Sequence, residues 1–353
     1  MMEEINLYRE KIDEIDQQIL QLLKSRIELA KKIGEIKRKN GLPILDETRE
    51  QNKINELNEF ATRIGLPSKL VNEVYREIIK WSRVVQVNTN AKNVVIIGTG
   101  KMAETLTSLI SYGGHKVAIS HIFEDEAVNL SRKLNVQFIK SKEISEFADY
   151  VILAVAPEAL NNPSFIESLK FLRGKIVMDI FSTKHNNYTK LKKLSIENGF
   201  TFISTHPLFG PSYLPVGERI VIIDEPEMDE KLKEQIIAFW KELGLTPVLM
   251  SLDYHDKLMA VIQVIPHFLL LSMKSAISRL ANELNVELKN EYFTTNFRQI
   301  YEILNRIDEI KQVIFEIQVN NPYSESARKI SLDEVNKMYN ILSQAGDKFA
   351  LNP

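Results

Sequence analysis

The residues from Val94 to Ala103 could do chemistry with a nucleotide. They read Val94-Val95-Ile96-Ile97-Gly98-Thr99-Gly100-Lys101-Met102-Ala103, four branched apolar residues followed by a glycine turn that ends on a small residue. A helix-like run of Glu104, Leu106, Leu109 and Ile110 follows at once. Strand, turn and helix in that order is the context in which G-x-G-x-x-G/A marks a dinucleotide site. The first glycine lets the chain turn, the second lets backbone approach a pyrophosphate, and Ala103 lets helix and strand pack closely. The unpaired N–H groups of the helix start then face the phosphates. The cofactor-binding candidates are Gly98, Thr99, Gly100, Lys101 and Met102, with Ser120 closing the next strand, and the cofactor is NAD or NADP. That second strand ends Ile119-Ser120-His121, with Glu124 and Asp125 a little later. No acid sits cleanly where one would hold the ribose hydroxyls and select NAD.

A second group is cationic and helical. From Leu7 to Arg38, apolar residues fall at Ile12, Ile15, Ile19, Leu22, Leu29, Ile33 and Ile36, the seam of a long packed helix. Where the next seam residue is due stands Arg26, and a charge on a buried stripe is costly without a partner. Lys37 lies about 20° round the helix from Arg26, on the same face. Arg9 lies roughly 25 Å back along the axis, too far to grip the same small molecule within one chain. Arg26 and Lys37 read equally well as snorkelling surface cations.

Three further clusters close strands or open helices. Asp179-Ile180-Phe181-Ser182-Thr183-Lys184 and Thr205-His206-Pro207-Leu208-Phe209-Gly210-Pro211 put polar side chains at strand ends, where open α/β sheets bind ligands. A lone histidine is usually structural, but His206 at a strand end beside a nucleotide site favours function. Thr294-Thr295-Asn296-Phe297-Arg298 is a polar patch that opens a later helix, and Arg298 there reads as often as not as an ordinary surface residue.

The elements that must position these residues follow from pattern. The long helix ends at Asn40-Gly41-Leu42-Pro43, a second runs from an Asp46 N-cap through Phe60, and a third begins after Pro67-Ser68. The first helix has more apolar surface than the other two could cover, which suggests dimerisation by helix exchange. After a polar linker (Asn88 to Asn93), strands at 94–97, 116–119, 136–139, 150–154, 176–180, 201–204, 220–223 and 247–250 alternate with helices, including 160–172 and 229–243, as in a doubly wound sheet. From Tyr254 the chain is helical. Val261 to Leu280 is strongly apolar, suggesting a buried helix or subunit contact, and 323–353 reads as one amphipathic helix with no added regulatory domain.

Composition bounds the rest. The chain has 353 residues, 44% hydrophobic and 26% charged, which suggests a soluble protein of two or three domains. A formal charge of -2 gives no general attraction to nucleic acid or acidic membranes. With no cysteine, disulfides, thiolate metal sites and cysteine nucleophiles are excluded. The acidic start is no signal peptide. The longest uncharged apolar run, around Phe268 to Met273, is too short for a bilayer. A cytoplasmic location is expected.

Leu7-Tyr8-Arg9-Glu10-Lys11-Ile12, Arg26-Ile27-Glu28-Leu29-Ala30, Gly34, Lys37, Asp46, Arg49-Glu50, Ser82 and Gln86 together resemble the all-helical chorismate mutase family over residues 6–87. That resemblance implies rearrangement of chorismate to prephenate, a pericyclic step needing no acid, base or metal. The protein selects the compact conformer and stabilises charge on the breaking ether. It further implies that Arg26 and a partner chain's copy of Arg9 hold carboxylates, Lys37 and Gln86 donate to the ether oxygen, and Glu50 holds the ring hydroxyl. Asp46, Arg49 and Ser82 complete the pocket.

The turn at Gly98 to Ala103, Asp179 to Lys184, His206 to Pro211, His255-Asp256, Pro266-His267 and Phe297-Arg298 resemble the prephenate dehydrogenase family over 92 to about 330. With the helical front, the chain resembles the bifunctional chorismate mutase–prephenate dehydrogenases of tyrosine biosynthesis. The implied roles are His206 as base for the ring hydroxyl, Arg298 on a carboxylate, Ser182 orienting His206 and Lys184 adding positive charge. The implied fold is α plus α/β multidomain: a three-helix mutase domain (1–90), a Rossmann-type NAD(P)-binding domain (91–253) and an all-helical substrate and dimerisation domain (254–353). A homodimer is expected, with chorismate and prephenate as substrates, tyrosine as a candidate feedback inhibitor, and neither nucleic acid nor membrane as a partner. The glycine turn alone also resembles pyrroline-carboxylate reductase, which has no use for the His206 loop or the helical front. Prephenate or arogenate as substrate, and NAD or NADP as cofactor, stay open. A non-enzyme reading, a dimeriser joined to a ligand sensor, leaves the intact polar sets of both halves unexplained.

Overall fold

A computed structural model describes residues 2–40, 46–86, 91–212 and 214–350. Three helices open the chain, α1 (Met2–Lys39), α2 (Glu47–Arg63) and α3 (Ser68–Gln86). The Asp46 carboxylate caps α2 by accepting the Arg49 N–H at 3.0 Å. The expected breaker at 41–43 and linker residues 88–90 lie outside the described residues, as do Met1 and residues 351–353. Helix α3 comes so close to α1 that a Cβ on Gly34 would stand 2.6 Å from the Gln86 Cα, so only glycine permits the approach. Ala30, Ala61, Val71 and Ile79 are buried among the three helices. The α1 seam is not covered by the described residues: its residues from Ile12 to Ile36 are 48–70% exposed, Leu22 most of all.

Eight strands follow: β1 (Asn93–Ile97), β2 (Lys116–Ser120), β3 (Gln137–Phe138), β4 (Tyr150–Leu153), β5 (Ile176–Asp179), β6 (Thr201–Pro207), β7 (Arg219–Ile223) and β8 (Thr246–Met250). They form one sheet in the order β3-β2-β1-β4-β5-β6-β7-β8. Neighbours from β3 to β6 are parallel and β7 turns antiparallel to β6. Helices α4 (Lys101–Tyr112), α5 (Glu124–Leu134), α6 (Ile144–Phe147), α7 (Pro163–Ser168), α8 (His185–Asn198) and α9 (Glu230–Glu242) make the crossovers. Parallel strands covered on both faces must be apolar throughout. Val94, Val95 and Ile96 are accordingly 0% exposed, and Leu106, Ile110, Ile152, Ile222, Phe239 and Trp240 complete the core.

The continuous helix expected over 160–172 is instead three short pieces. A 3-10 turn (Pro157–Asn161) precedes α7, and another (Leu169–Leu172) follows it. Pro163 has no N–H to continue a helix from upstream but suits a new first turn, which the Asn162 side chain caps at 2.9 Å.

The chain divides into two compact units. One comprises residues 1–180, 194–222 and 226–249, and the other 181–193, 223–225 and 250–353. The second is built from α10 (Leu252–Met259), a π-helical segment (Ala260–Val264), α11 (Ile265–Glu283), α12 (Thr295–Glu309), α13 (Lys311–Asn320) and α14 (Ser324–Ala350). Small apolar clusters around Val264, Ile317 and Ala327, and around Leu304, Ile307 and Ile314, hold it together. The stretch 252–283 is long and apolar enough, by length and composition, to cross a bilayer, which the run at Phe268–Met273 alone does not reveal. The difference is that α10, the π segment and α11 join into one uninterrupted helical stretch of 32 residues.

Candidate functional site

In the helical front, Arg26, Lys37, Asp46, Arg49, Glu50, Ser82 and Gln86 all line one cavity of about 270 Å³. Three helices supply them, through the Gly34 approach and the Asp46 cap. Arg26 donates to the Ser82 hydroxyl and to the Ile78 carbonyl, and Ser82 in turn donates to that carbonyl at 2.7 Å. The charge on the α1 seam thus has partners on α3, which explains how it is half-buried there. Gln86 Nε2 donates to the Ser82 carbonyl at 3.0 Å. Arg9 is exposed and does not line this cavity.

Two lining cations escaped the sequence reading, Lys53 and Arg83. Arg83 grips Glu50 with both prongs of its guanidinium, Nε to Oε1 at 2.7 Å and Nη2 to Oε2. Among the described residues the cavity therefore holds five cations (Arg26, Lys37, Arg49, Lys53, Arg83) against two carboxylates (Asp46, Glu50). Such an excess suits a small dianion.

At the glycine turn, Gly98 has φ +144°, and a Cβ there would lie 2.1 Å from the Ala154 carbonyl. Its N–H donates to the Ser120 carbonyl at 3.1 Å, which brings Thr99 beside the end of β2. Gly100 is the N-cap of α4 and has no side chain to cap the first turn, and the space where its Cβ would be is open. Lys101 and Met102 begin that helix. Ser120 is 1% exposed, and its hydroxyl has no hydrogen-bond partner among the described residues. An open glycine-capped helix start beside an unsatisfied buried hydroxyl fits a dinucleotide, with phosphates at the turn. The carboxylate that reaches the turn is neither Glu124, which pairs with Lys140 at 3.1 Å, nor Asp125. It is Glu126, which accepts the Thr99 hydroxyl at 2.8 Å and lies 3.8 Å from His121 Nδ1.

His206 is the penultimate residue of β6 and 2% exposed. The strand outruns its expected end at Ser204 because antiparallel β7 pairs His206 with Val221 and Pro207 with Ile220. Thr205 fixes it to β5, with its hydroxyl on the Asp179 carbonyl at 2.6 Å. Beyond the strand, the Thr105 hydroxyl on α4 donates to the Ser212 carbonyl at 2.8 Å and anchors the loop.

In the other unit, Ser182 is half-buried and Lys184 1% exposed, just ahead of α8. Between them Thr183 donates to Glu316 at 2.8 Å. Arg298 is exposed in the first turn of α12, beside the aromatic cluster of Phe293, Phe297 and Tyr301. His255 and Asp256 form a buried pair, Nδ1 to Oδ1 2.9 Å. Gln263 Oε1 and His267 Nδ1, one helical turn apart, are buried without a hydrogen-bond partner among the described residues. Burial also pushes the His267 pKa down.

The chorismate mutase type II family matches residues 8–87. A chorismate mutase of Methanocaldococcus jannaschii is 31% identical over 86 residues, 24% of this chain and 87% of that one. The chain belongs to the chorismate mutase family. Beyond the mutase helices, residues 93–183 match a family described as coenzyme F420-dependent NADP oxidoreductase. The T-protein of Enterobacter agglomerans is 25% identical over 279 residues, 76% of this chain and 69% of that one. Prephenate dehydrogenase from A. aeolicus, solved with hydroxyphenyl propionate and NAD+, shares the fold. Its TM-score is 0.56 at 18% identity, covering 75% of this chain and 94% of that one.

Proposed function

We propose that this mutase-family chain is a bifunctional enzyme of tyrosine biosynthesis. It rearranges chorismate to prephenate and then oxidatively decarboxylates prephenate to 4-hydroxyphenylpyruvate with a nicotinamide cofactor. The cavity that gathers Arg26, Lys37, Glu50 and Gln86 carries the first half, and the likeness to T-proteins over 76% of the chain supports both. Supplying chorismate with NAD or NADP and watching for reduced nicotinamide tests both activities together. Formation of prephenate without reduced cofactor would remove the second.

In the mutase pocket Arg26 and the partner's Arg9 hold the two carboxylates of the compact conformer. Lys37 and Gln86 stabilise charge growing on the ether oxygen, and Glu50 takes the ring hydroxyl. For the dehydrogenase, bound nicotinamide supplies the hydride acceptor. His206 accepts the proton of the ring hydroxyl as the hydride leaves the same carbon. Carbon dioxide then departs readily because an aromatic ring results. Ser182, Lys184 and Arg298 are assigned by their places in the family's motifs, with Arg298 as the carboxylate clamp. The division at 1–90, 91–253 and 254–353 follows these tasks. The uncovered α1 seam and exposed apolar residues of α14 such as Met338 and Leu342 support a homodimer. Tyrosine is a candidate inhibitor, and a cytoplasmic location follows from the substrates.

The two activities separate by residue. Lys37→Ala abolishes chorismate turnover and leaves oxidation of supplied prephenate nearly intact. If both rates, measured on one folded preparation, fell together, the halves would share a site or be tightly coupled.

NAD is the better cofactor. The first turn of α5 carries Glu124, Asp125 and Glu126, and Glu126 sits against the turn residue Thr99. A ribose hydroxyl can donate to that carboxylate, whereas a 2′-phosphate meets like charge. In fluorescence titrations NADH binds more tightly than NADPH. Glu126→Gln narrows the gap by about tenfold, a charge effect that salt weakens. An unchanged ratio would place selectivity elsewhere.

A further inference from the structure

Arg83 lines the mutase pocket but stands outside the set of residues assigned to its chemistry. Helix α3 places it next to Ser82, and its fork closes on both oxygens of Glu50, 33 residues away in sequence. Each partner's side chain is about a quarter exposed, 24% for Arg83 and 23% for Glu50. On its other side the guanidinium is near Gly217, where an added Cβ would stand 3.5 Å from Nη1.

We propose that Arg83 is a positioning residue of the mutase pocket that acts through Glu50. The proposal rests on the mutase reading of this cavity. A carboxylate left alone there would repel a dianionic substrate and could turn away from its hydroxyl. Arg83 offsets the charge and fixes the plane of the carboxylate. A carboxylate has about four acceptor positions, so the two that Arg83 takes leave room for the substrate hydroxyl. A bidentate grip of this kind needs the guanidinium fork, which lysine lacks.

The hydroxyl contact is made in the ground state and the transition state alike, so its loss falls on KM more than on kcat. The test is a double-mutant cycle on the full chain, with chorismate turnover measured for the unmodified protein, Arg83→Gln, Glu50→Gln and the pair. Contacting residues in one network couple by about two- to a hundredfold. Arg83→Gln should therefore raise KM about tenfold, within that coupling range. The pair should be no worse than Glu50→Gln alone. Arg83→Lys, which restores charge without the fork, should recover part of the loss. Oxidation of supplied prephenate on the same preparations reports that the rest of the chain is folded. An active protein in which the two losses simply multiply, or in which Arg83→Gln leaves KM unchanged, would overturn the proposal alone. An unmodified chain inert on chorismate would overturn the mutase reading and this proposal with it.

Discussion

His206→Asn lowers turnover of prephenate by about 10²- to 10⁴-fold, the usual contribution of a positioned general base, while KM for prephenate changes little. Asparagine keeps a hydrogen-bonding side chain but cannot take the proton. The effect is large because little else about the position can adapt. His206 sits inside a strand paired on both sides, with Thr205 bonded to Asp179, Pro207 following, and the loop beyond tied to α4 through Thr105. Water cannot easily replace the imidazole at a residue 2% exposed. Steady-state kinetics on supplied prephenate check this. A second check is the pH–rate profile, since only a neutral imidazole can act as base. Activity of the unmodified chain falls on the acidic side, and the asparagine variant lacks that limb. Loss of binding with turnover kept at saturation would make His206 a binding residue and move the base elsewhere.

A chain carrying Arg9→Ala and a chain carrying Arg26→Ala are each nearly inactive on chorismate, yet mixing them restores activity. Arg26 lines the pocket and Arg9 does not. At 1.5 Å per residue the two lie roughly 25 Å apart along α1, so one pocket receives both only from two chains. The exposed seam of α1 offers the surface for that exchange. In a two-fold dimer a mixed pair keeps one complete site, so random mixing recovers about a quarter of the unmodified rate. Verified mixed dimers with no recovery would refute the shared site.

Much of this was legible in the sequence because its signals are local. The eight strands fall within a residue or two of the apolar runs, except where β6 continues to Pro207, since pairing by a later strand has no trace in the run itself. The α1 seam, the Asp46 cap and the glycine turn depend on neighbours a few residues away, and seven of the eight residues assigned to the mutase site meet in one cavity. Arg83 and Glu126 were not legible. Their partners stand 33 and 27 residues away, and a charged residue on a helix looks the same whether it faces water or a carboxylate. The π segment ahead of Pro266 has a recognisable cause in a residue that cannot donate, but its form depends on contacts such as Gln318 Nε2 on the Val264 carbonyl at 2.7 Å.

The chain has two tryptophans, and they stand at informative places. Trp240 is 0% exposed in the core of the sheet. Trp81, next to the pocket residue Ser82, meets Tyr112 edge-on at the far end of the helix that starts at the glycine turn, with ring centroids 6.0 Å apart. Its emission therefore reports on the join between the mutase helices and the nucleotide fold, while that of Trp240 reports on the sheet interior. The native protein carries its own optical probe of whether the two catalytic parts move as one body.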